Sequence, residues 1–171
     1  MKTIRLRWSA LAAALLLAAC THPAATLPAI NASDDAACAL DGMLLRDFPG
    51  PKAQVRLTDG KTEYFCDVME LLSEMLAPEQ RRAISAFYVQ DMGKADWRQP
   101  RGHWLAARDA LYVFGSDAQG SMGAAIAPFS QQADADAFVQ KHGGKVLRFE
   151  QIKPDMLNSS RGGMPAHGIE H

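Results

Sequence analysis

The stretch Ala53-Gln-Val-Arg-Leu57-Thr-Asp59-Gly60-Lys61-Thr-Glu-Tyr-Phe65-Cys66-Asp67-Val-Met-Glu70-Leu-Leu72 holds most of a supersecondary unit. Apolar and polar residues alternate from Ala53, Asp59-Gly60 is a pair that favours a two-residue hairpin turn, and a second strand runs from Lys61 to Cys66. Asp67 stands where a helix N-cap belongs. Glu70 three residues on completes a capping-box spacing ahead of Leu71, Leu72, Met75 and Leu76. The reading is two strands followed by a helix over about 67–76. Pro78 then opens a second short helix towards Ala83, and residues 86–91, with Phe87 and Val89, return as a strand.

Further along, the same grammar recurs. Residues 110–115 and 124–129 read as strands, Ser130 as an N-cap, and 134–141 as a helix carrying Phe138 and Val139. Gly143-Gly144 stops that helix, and 145–150 reads as a strand. Phe65-Cys66-Asp67 occupies the place in the first half that Phe129-Ser130-Gln131 occupies in the second, as a duplication would leave it. The expected fold is α+β, with two small ββαβ units, about 38–100 and 101–156, and mainly antiparallel sheets. Units of that size bury too little to stand alone, so they are expected to pack on each other.

The whole chain has 171 residues, with 18 Lys+Arg against 19 Asp+Glu and 48% hydrophobic residues, a balance that excludes a basic nucleic-acid binder and an acidic disordered tail. Residues 1–19 combine Lys2, Arg5 and Arg7 with an apolar run too short to span a bilayer, the pattern of a signal peptide. Leu17-Ala18-Ala19-Cys20 resembles a bacterial lipobox, in which Cys20 takes a diacylglyceryl group and becomes the first mature residue. The mature protein is then mildly acidic and lipid-anchored to a membrane on the periplasmic side; Thr21 favours the outer membrane over the inner. Residues 20–37, rich in Ala, Pro, Asn, Ser and Asp, read as a flexible lipid tether, and 157–171 as a flexible tail carrying Met and His. The folded domain is expected over 38–156.

Two cysteines remain beyond the anchor, Cys38 and Cys66. In an oxidising compartment they either close a disulfide or keep their sulfurs for a soft metal ion. In Cys38-Ala-Leu-Asp-Gly-Met43, a thiolate and a thioether five positions apart converge if Gly42 turns the backbone back. Thiolate with thioether selects Cu(I) over Zn(II). Met122, in Gly120-Ser-Met-Gly123, and Met164 lie in loops beside glycine or proline, where packing has less use for them, whereas Met69 and Met75 belong to an apolar helix face. Met164, His167 and His171 form a tail able to capture or hand over a metal, while His103 and His142 read as structural or surface groups. No nucleophile elbow, phosphate loop, dinucleotide fingerprint, His-Glu-x-x-His or Cys-x-x-Cys pair is present.

Taken together, Cys38-Ala-Leu-Asp-Gly-Met-Leu-Leu, Tyr64-Phe-Cys-Asp67, Tyr88-Val-Gln-Asp-Met-Gly-Lys-Ala-Asp-Trp97, Gly102-His-Trp104, Gly120-Ser-Met-Gly123 and Gly143-Gly-Lys-Val146 resemble the NosL family over nearly all of 38–150. The resemblance implies a copper-chaperone lipoprotein of nitrous oxide reductase maturation. Such a protein carries Cu(I) towards the reductase's copper–sulfide centre with a membrane ABC-type assembly complex as partner, on small ββαβ units like those of organomercurial lyase. Carried over by motif, the implied ligands are Cys38, Met43 and Met122. Many relatives have a second Cys where Asp41 stands here, which leaves Cys66 or another thioether to complete the shell. A carrier needs reduced thiols, so the resemblance also weighs against a Cys38–Cys66 bridge. Two competing expectations are a thiol-dependent enzyme on the same fold and a structural, disulfide-bonded lipoprotein.

Overall fold

The computed structural model describes residues 26–77 and 82–161. The deciding stretch folds into the expected hairpin and helix, but the register closes the hairpin at Leu57 and Lys61, so the connection is a three-residue loop, 58–60, with Gly60 at φ +89° in place of the two-residue turn. Strands β1 (Ala53–Leu57) and β2 (Thr62–Phe65) form an antiparallel hairpin with Ala53 opposite Phe65, and helix α1 (Val68–Met75) follows at once. Asp67 is its N-cap, accepting from the Met69 N–H at 2.8 Å, and the reciprocal Glu70 arm of the capping box is present. Strand β3 (Ile84–Gln90) returns antiparallel to β1, with Ala53 opposite Val89, and β4 (Trp104–Ala106) adds an edge the sequence pattern did not announce. The sheet order is β2-β1-β3-β4. Of the helix expected from Pro78, residues 78–81 lie outside the described residues, while Arg82 and Ala83 are not helical.

The second half repeats that topology. Strand β5 (Leu111–Phe114) leads to a small hairpin, β6 (Gln119–Gly120) and β7 (Gly123–Ala124), then to β8 (Ala127–Phe129), helix α2 (Gln132–His142) and β9 (Lys145–Arg148). Its sheet order, β8-β5-β9, is all antiparallel and matches β2-β1-β3 position for position. Gly143, with φ +70°, caps α2 as the Gly pair promised. One expectation fails at the helix start: Gln131, not Ser130, is the N-cap, and no side chain caps it. The Ser130 hydroxyl is instead engaged by a buried carboxylate, as described below.

The two halves share one core. Val55, Phe65, Leu71, Leu72 and Val89 pack with Tyr112, Phe114, Ile126, Phe149 and Ile152 in a single cluster. That cluster also takes in Leu157, which is buried on helix α3 (Pro154–Arg161). The folded chain thus runs past 156, where the tail was expected to begin, because Leu157 has apolar surface to bury.

At the other end, the segment read as tether lies along the outer face of the first sheet. Ile30 pairs both ways with the Gln54 side chain at 2.9 Å, Tyr88 OH donates to the Leu27 carbonyl, and Trp104 Nε1 donates to Asn31. Gln54 is fully buried beneath this strap. Its amide therefore finds the partners that burial demands only because residues 27–31 are there.

A second stitch joins the halves at Asp91, a buried carboxylate that accepts from the Ser130 hydroxyl, the Ser130 N–H and the Gly93 N–H, and pairs with Lys94 at 3.0 Å. Burial by itself would raise its pKa, but those partners outweigh it and hold the carboxyl below its ordinary value. Asp91→Ala is expected to cost about 2–3 kcal/mol in urea unfolding at neutral pH, because it strands buried donors. The wild-type advantage is present above the unfolded carboxyl's pKa of about 3.9 and lost as pH falls through the lower folded value. Parent and variant stabilities should accordingly converge in acid.

Candidate metal centre

Cys38 and Cys66 meet where the strap, the end of β2 and the start of α1 come together. Cys38 lies on a short turn that closes on itself: its N–H donates to the Met43 carbonyl at 2.8 Å, and the Gly42 N–H donates to the Cys38 carbonyl at 3.0 Å. Gly42 has φ +77°, the left-handed conformation this reversal needs. Asp41 Oδ1 accepts from the Met43 N–H at 2.9 Å and sets the turn, while Leu40 at its tip is exposed. A parallel bridge between Cys38 and Tyr64 lays this turn beside β2. Cys66 follows β2 directly and is 1% exposed, against 4% for Cys38.

The sulfurs of Cys38 and Cys66, a carboxylate oxygen of Glu70 and one of Asp41 all lie within 4.8 Å of one another. Glu70 is at the centre. Its Oε2 accepts from the Cys38 thiol at 3.5 Å, the Cys66 thiol at 3.6 Å and the Asp67 N–H at 3.4 Å. Asp41 Oδ2 is 4.0 Å from the Cys66 sulfur on the exposed side. Both thiols are free, so the bridge held open as an alternative is not formed. Met43, half-buried, packs against Cys38, Leu45 and Cys66. Cys66 thus joins Cys38, and Met43 is packed against the cluster that they form with Leu45.

Met122 is placed differently. It is 54% exposed at the turn of the β6–β7 hairpin and belongs to none of the buried clusters. That turn is nevertheless fastened beside the thiols, because the adjacent Ser121 hydroxyl donates to the Cys66 carbonyl. Gly50 lies so close to Gly120 that a Cβ there would come within 2.8 Å of the Gly120 Cα, and Trp97 Nε1 donates to the Gln119 carbonyl at 2.9 Å. The second half thus seats the loop that carries Met122 against the Cys66 backbone. Cys20, Met164, His167 and His171 lie outside the described residues.

Three participants were not singled out from sequence. Glu70 reads from the sequence as a capping residue alone; the sign of more is that Cys66 lies four residues before it, on the same approach to the helix. Asp41 stands out in the sequence only as the residue where many relatives have a second Cys. Lys52, 2% exposed, gave no signal at all. Its ammonium donates to the carbonyls of Pro49 at 2.9 Å and Cys66 at 3.4 Å. Burial brings its pKa down to about 8, against the pull of the nearby thiols and acids Cys66, Asp67, Cys38 and Glu70.

Burial also pushes the Cys66 thiol up to about 12, with Glu70 and Cys38 adding to the rise and the Ser121 hydroxyl opposing it. A neutral thiol, a carboxylate and a half-buried thioether make a poor nucleophilic site, since the thiolate is the reactive form. They make a good soft-metal site, because an arriving ion displaces the thiol proton and takes the sulfur as thiolate.

The NosL family profile matches residues 29–157. Copper-binding lipoprotein NosL of Stutzerimonas stutzeri is 41% identical over 144 residues, spanning 81% of this chain and 74% of that protein. Copper-binding lipoprotein NosL of Achromobacter cycloclastes is 39% identical over 160 residues, spanning 90% and 83%. Among solved structures, the copper chaperone NosL from Shewanella denitrificans superposes with a TM-score of 0.68 at 34% identity, covering 77% of this chain and 98% of that one.

The elevated thiol is directly measurable. In a Cys20→Ser/Cys38→Ser variant, whose one remaining thiol is Cys66, thiolate ultraviolet absorbance of the folded protein is expected to rise only far above the ~8.5 midpoint of an unfolded cysteine. Adding denaturant should bring the midpoint back to that value, and an ordinary midpoint in the folded variant would contradict the burial argument.

Proposed function

This chain belongs to the NosL family, and we propose that it is a Cu(I) carrier, held on the periplasmic side of a membrane, preferably the outer one, through a lipid on Cys20. It collects the ion at Cys38, Cys66 and Met43 and passes it, by way of the membrane ABC-type assembly complex, to the copper–sulfide centre of nitrous oxide reductase. The observation that carries this reading is the approach of two free thiols from distant parts of the chain to within 4.8 Å of each other, with a thioether packed against them. A d¹⁰ monovalent ion prefers sulfur of both kinds, and low coordination by sulfur leaves room for an incoming donor.

In this scheme Cys38 and Cys66 are the thiolate ligands and Met43 the thioether. Met122, exposed on the hairpin bonded to the Cys66 carbonyl through Ser121, is the donor that closes over a bound ion or swings away with it. Met164, His167 and His171 remain candidates for capture or handover. Glu70 accepts the hydrogen bonds of both thiols in the free protein and is the nearest acceptor for a proton given up on loading. Lys52, the cation held against the Cys66 carbonyl, offsets part of the negative charge that two thiolates and a carboxylate would gather around a single positive ion. A carrier of this kind turns nothing over.

The test is competition for Cu(I) between the reduced, lipid-free chain and a chelator of known affinity. Cys38→Ala and Cys66→Ala are expected to lose about 100-fold or more, and Glu70→Gln, which leaves every sulfur in place, about 10- to 100-fold. Met43→Ala should weaken binding without abolishing it. Parental affinity should rise about tenfold per pH unit for each thiol proton displaced, up to the ordinary thiol range and beyond. A parent that competes no better than its Cys38→Ala variant would refute the assignment.

A further inference from the structure

The strap on the first sheet has a direction as well as a position. Leu27 N–H donates to Ser85 Oγ at 2.9 Å, and the Leu27 carbonyl accepts from Tyr88 OH at 2.8 Å. Ile30 then pairs with Gln54 at 2.9 Å in both senses while its carbonyl accepts from Tyr64 OH at 3.2 Å. Asn31 accepts from Trp104 at 3.0 Å, and Asp34 pairs with Arg101 at 2.8 Å. Since Leu57 lies opposite Ile84 and Ala53 opposite Val89, Ser85 marks the end of the sheet at the Asp59-Gly60 turn. The opposite end holds Lys52, Cys66 and Gln90, and hence the thiol cluster.

The chain thus enters at one end of the sheet and reaches Cys38 at the other. The five residues of β1 separate these ends by roughly 16 Å at about 3.3 Å per residue. A free tether from Cys20 to Ala37 would let the domain point anywhere within roughly 60 Å of its anchor. With the strap docked, only six peptide steps separate Cys20 from Thr26, and fully extended they reach about 20 Å. Bringing the thiol end to the surface would take up nearly the whole of that extended reach, at a cost in chain entropy, so the short leash favours the near end.

We propose that the docked strap orients the anchored protein on the lipid surface, with the 58–61 turn and the Ser85 end of the first sheet facing the bilayer and the thiol cluster presented at the far end. The aqueous side is then the side from which a receiving partner reaches the ion. This orientation rests on the reading of Cys20 as the lipid anchor. The exposed ends of the arrangement are suited to their places: the near end carries the solvated Asp59–Lys61 ion pair, and the far end carries the exposed apolar side chains Leu40 and Met122.

The experiment uses the full lipidated chain, isotopically labelled, in nanodiscs of phosphatidylethanolamine and phosphatidylglycerol doped with a gadolinium-chelating lipid, with amide broadening read by NMR. Strong broadening at Thr58–Lys61 and Ser85, fading to weak broadening at Asp41–Met43 and Gly120–Gly123, is expected. A flat or reversed gradient overturns the orientation. Gln54→Ala combined with Tyr88→Phe removes strap anchors without touching the thiol cluster, and should flatten the gradient while the remaining amide dispersion is kept. A gradient untouched by that change shows that the strap does not set it. Cys20→Ser separates the two ideas: a protein that stays on the nanodiscs without Cys20 refutes the anchor itself, whereas one that leaves them upholds the anchor and lets the parental gradient decide the orientation.

Discussion

One oxygen of Glu70 lies 3.4 Å from the Asp67 backbone nitrogen, 3.5 Å from the Cys38 sulfur and 3.6 Å from the Cys66 sulfur. A carboxylate buried to 8% exposure needs donors, and here they come from a helix terminus and two thiols together. The first requirement fixes where α1 starts, and therefore where Cys66 stands relative to the end of β2. The second draws the Cys38 turn against the helix from a segment 32 residues away in the chain. Fold and site thus share a single acceptor. The helix N-terminus, where the dipole favours negative charge, also stabilises the gathering of anionic ligands that a bound cation would require.

The two ββαβ halves put one junction to two uses. At the strand-to-helix step, the first half carries Cys66, whose sulfur faces Glu70, and the second carries Ser130, whose hydroxyl donates to Asp91. The site is thus asymmetric although the two halves share the order strand, strand, helix, strand. What the second half adds to the thiols is its extra hairpin, absent from the first half, which sets Ser121 on the Cys66 carbonyl and leaves Met122 exposed beside it. The close approach of Gly50 and Gly120 permits that seating, because at φ +79° and with the Gly120 Cα within 2.8 Å of a Cβ, no larger residue fits at position 50.

Local rules made much of this visible beforehand. The hairpin itself, the Asp67/Glu70 box, the Gly143 stop and the repeat of strand, strand, helix, strand all act through neighbours within a few residues and stand in the structure, although the hairpin closes on three residues rather than two. Ser130 was misassigned because a hydroxyl before a helix satisfies a cap or any other acceptor within reach, and the buried Asp91, 39 residues away, prevailed. The strap was unreadable for a related reason. Residues 26–34 have no hydrophobic period, and their hold on the sheet comes from backbone groups meeting Gln54, Tyr64, Tyr88 and Trp104. Lys52 was invisible because nothing adjacent to it in the chain foretells burial against the Cys66 carbonyl.

The sequence by itself determined most of the elements, their repeated order, the backbone turn at Gly42 between Cys38 and Met43, and the presence of sulfur donors, since each depends on residue type and short-range spacing. Tertiary structure alone decided that Cys66 joins Cys38 as a free thiol, that Glu70 serves both, and that the hairpin bearing Met122 sits over the same corner. Those outcomes require parts of the chain dozens of residues apart to share buried acceptors, and only packing the two halves into one core brings them within hydrogen-bonding distance.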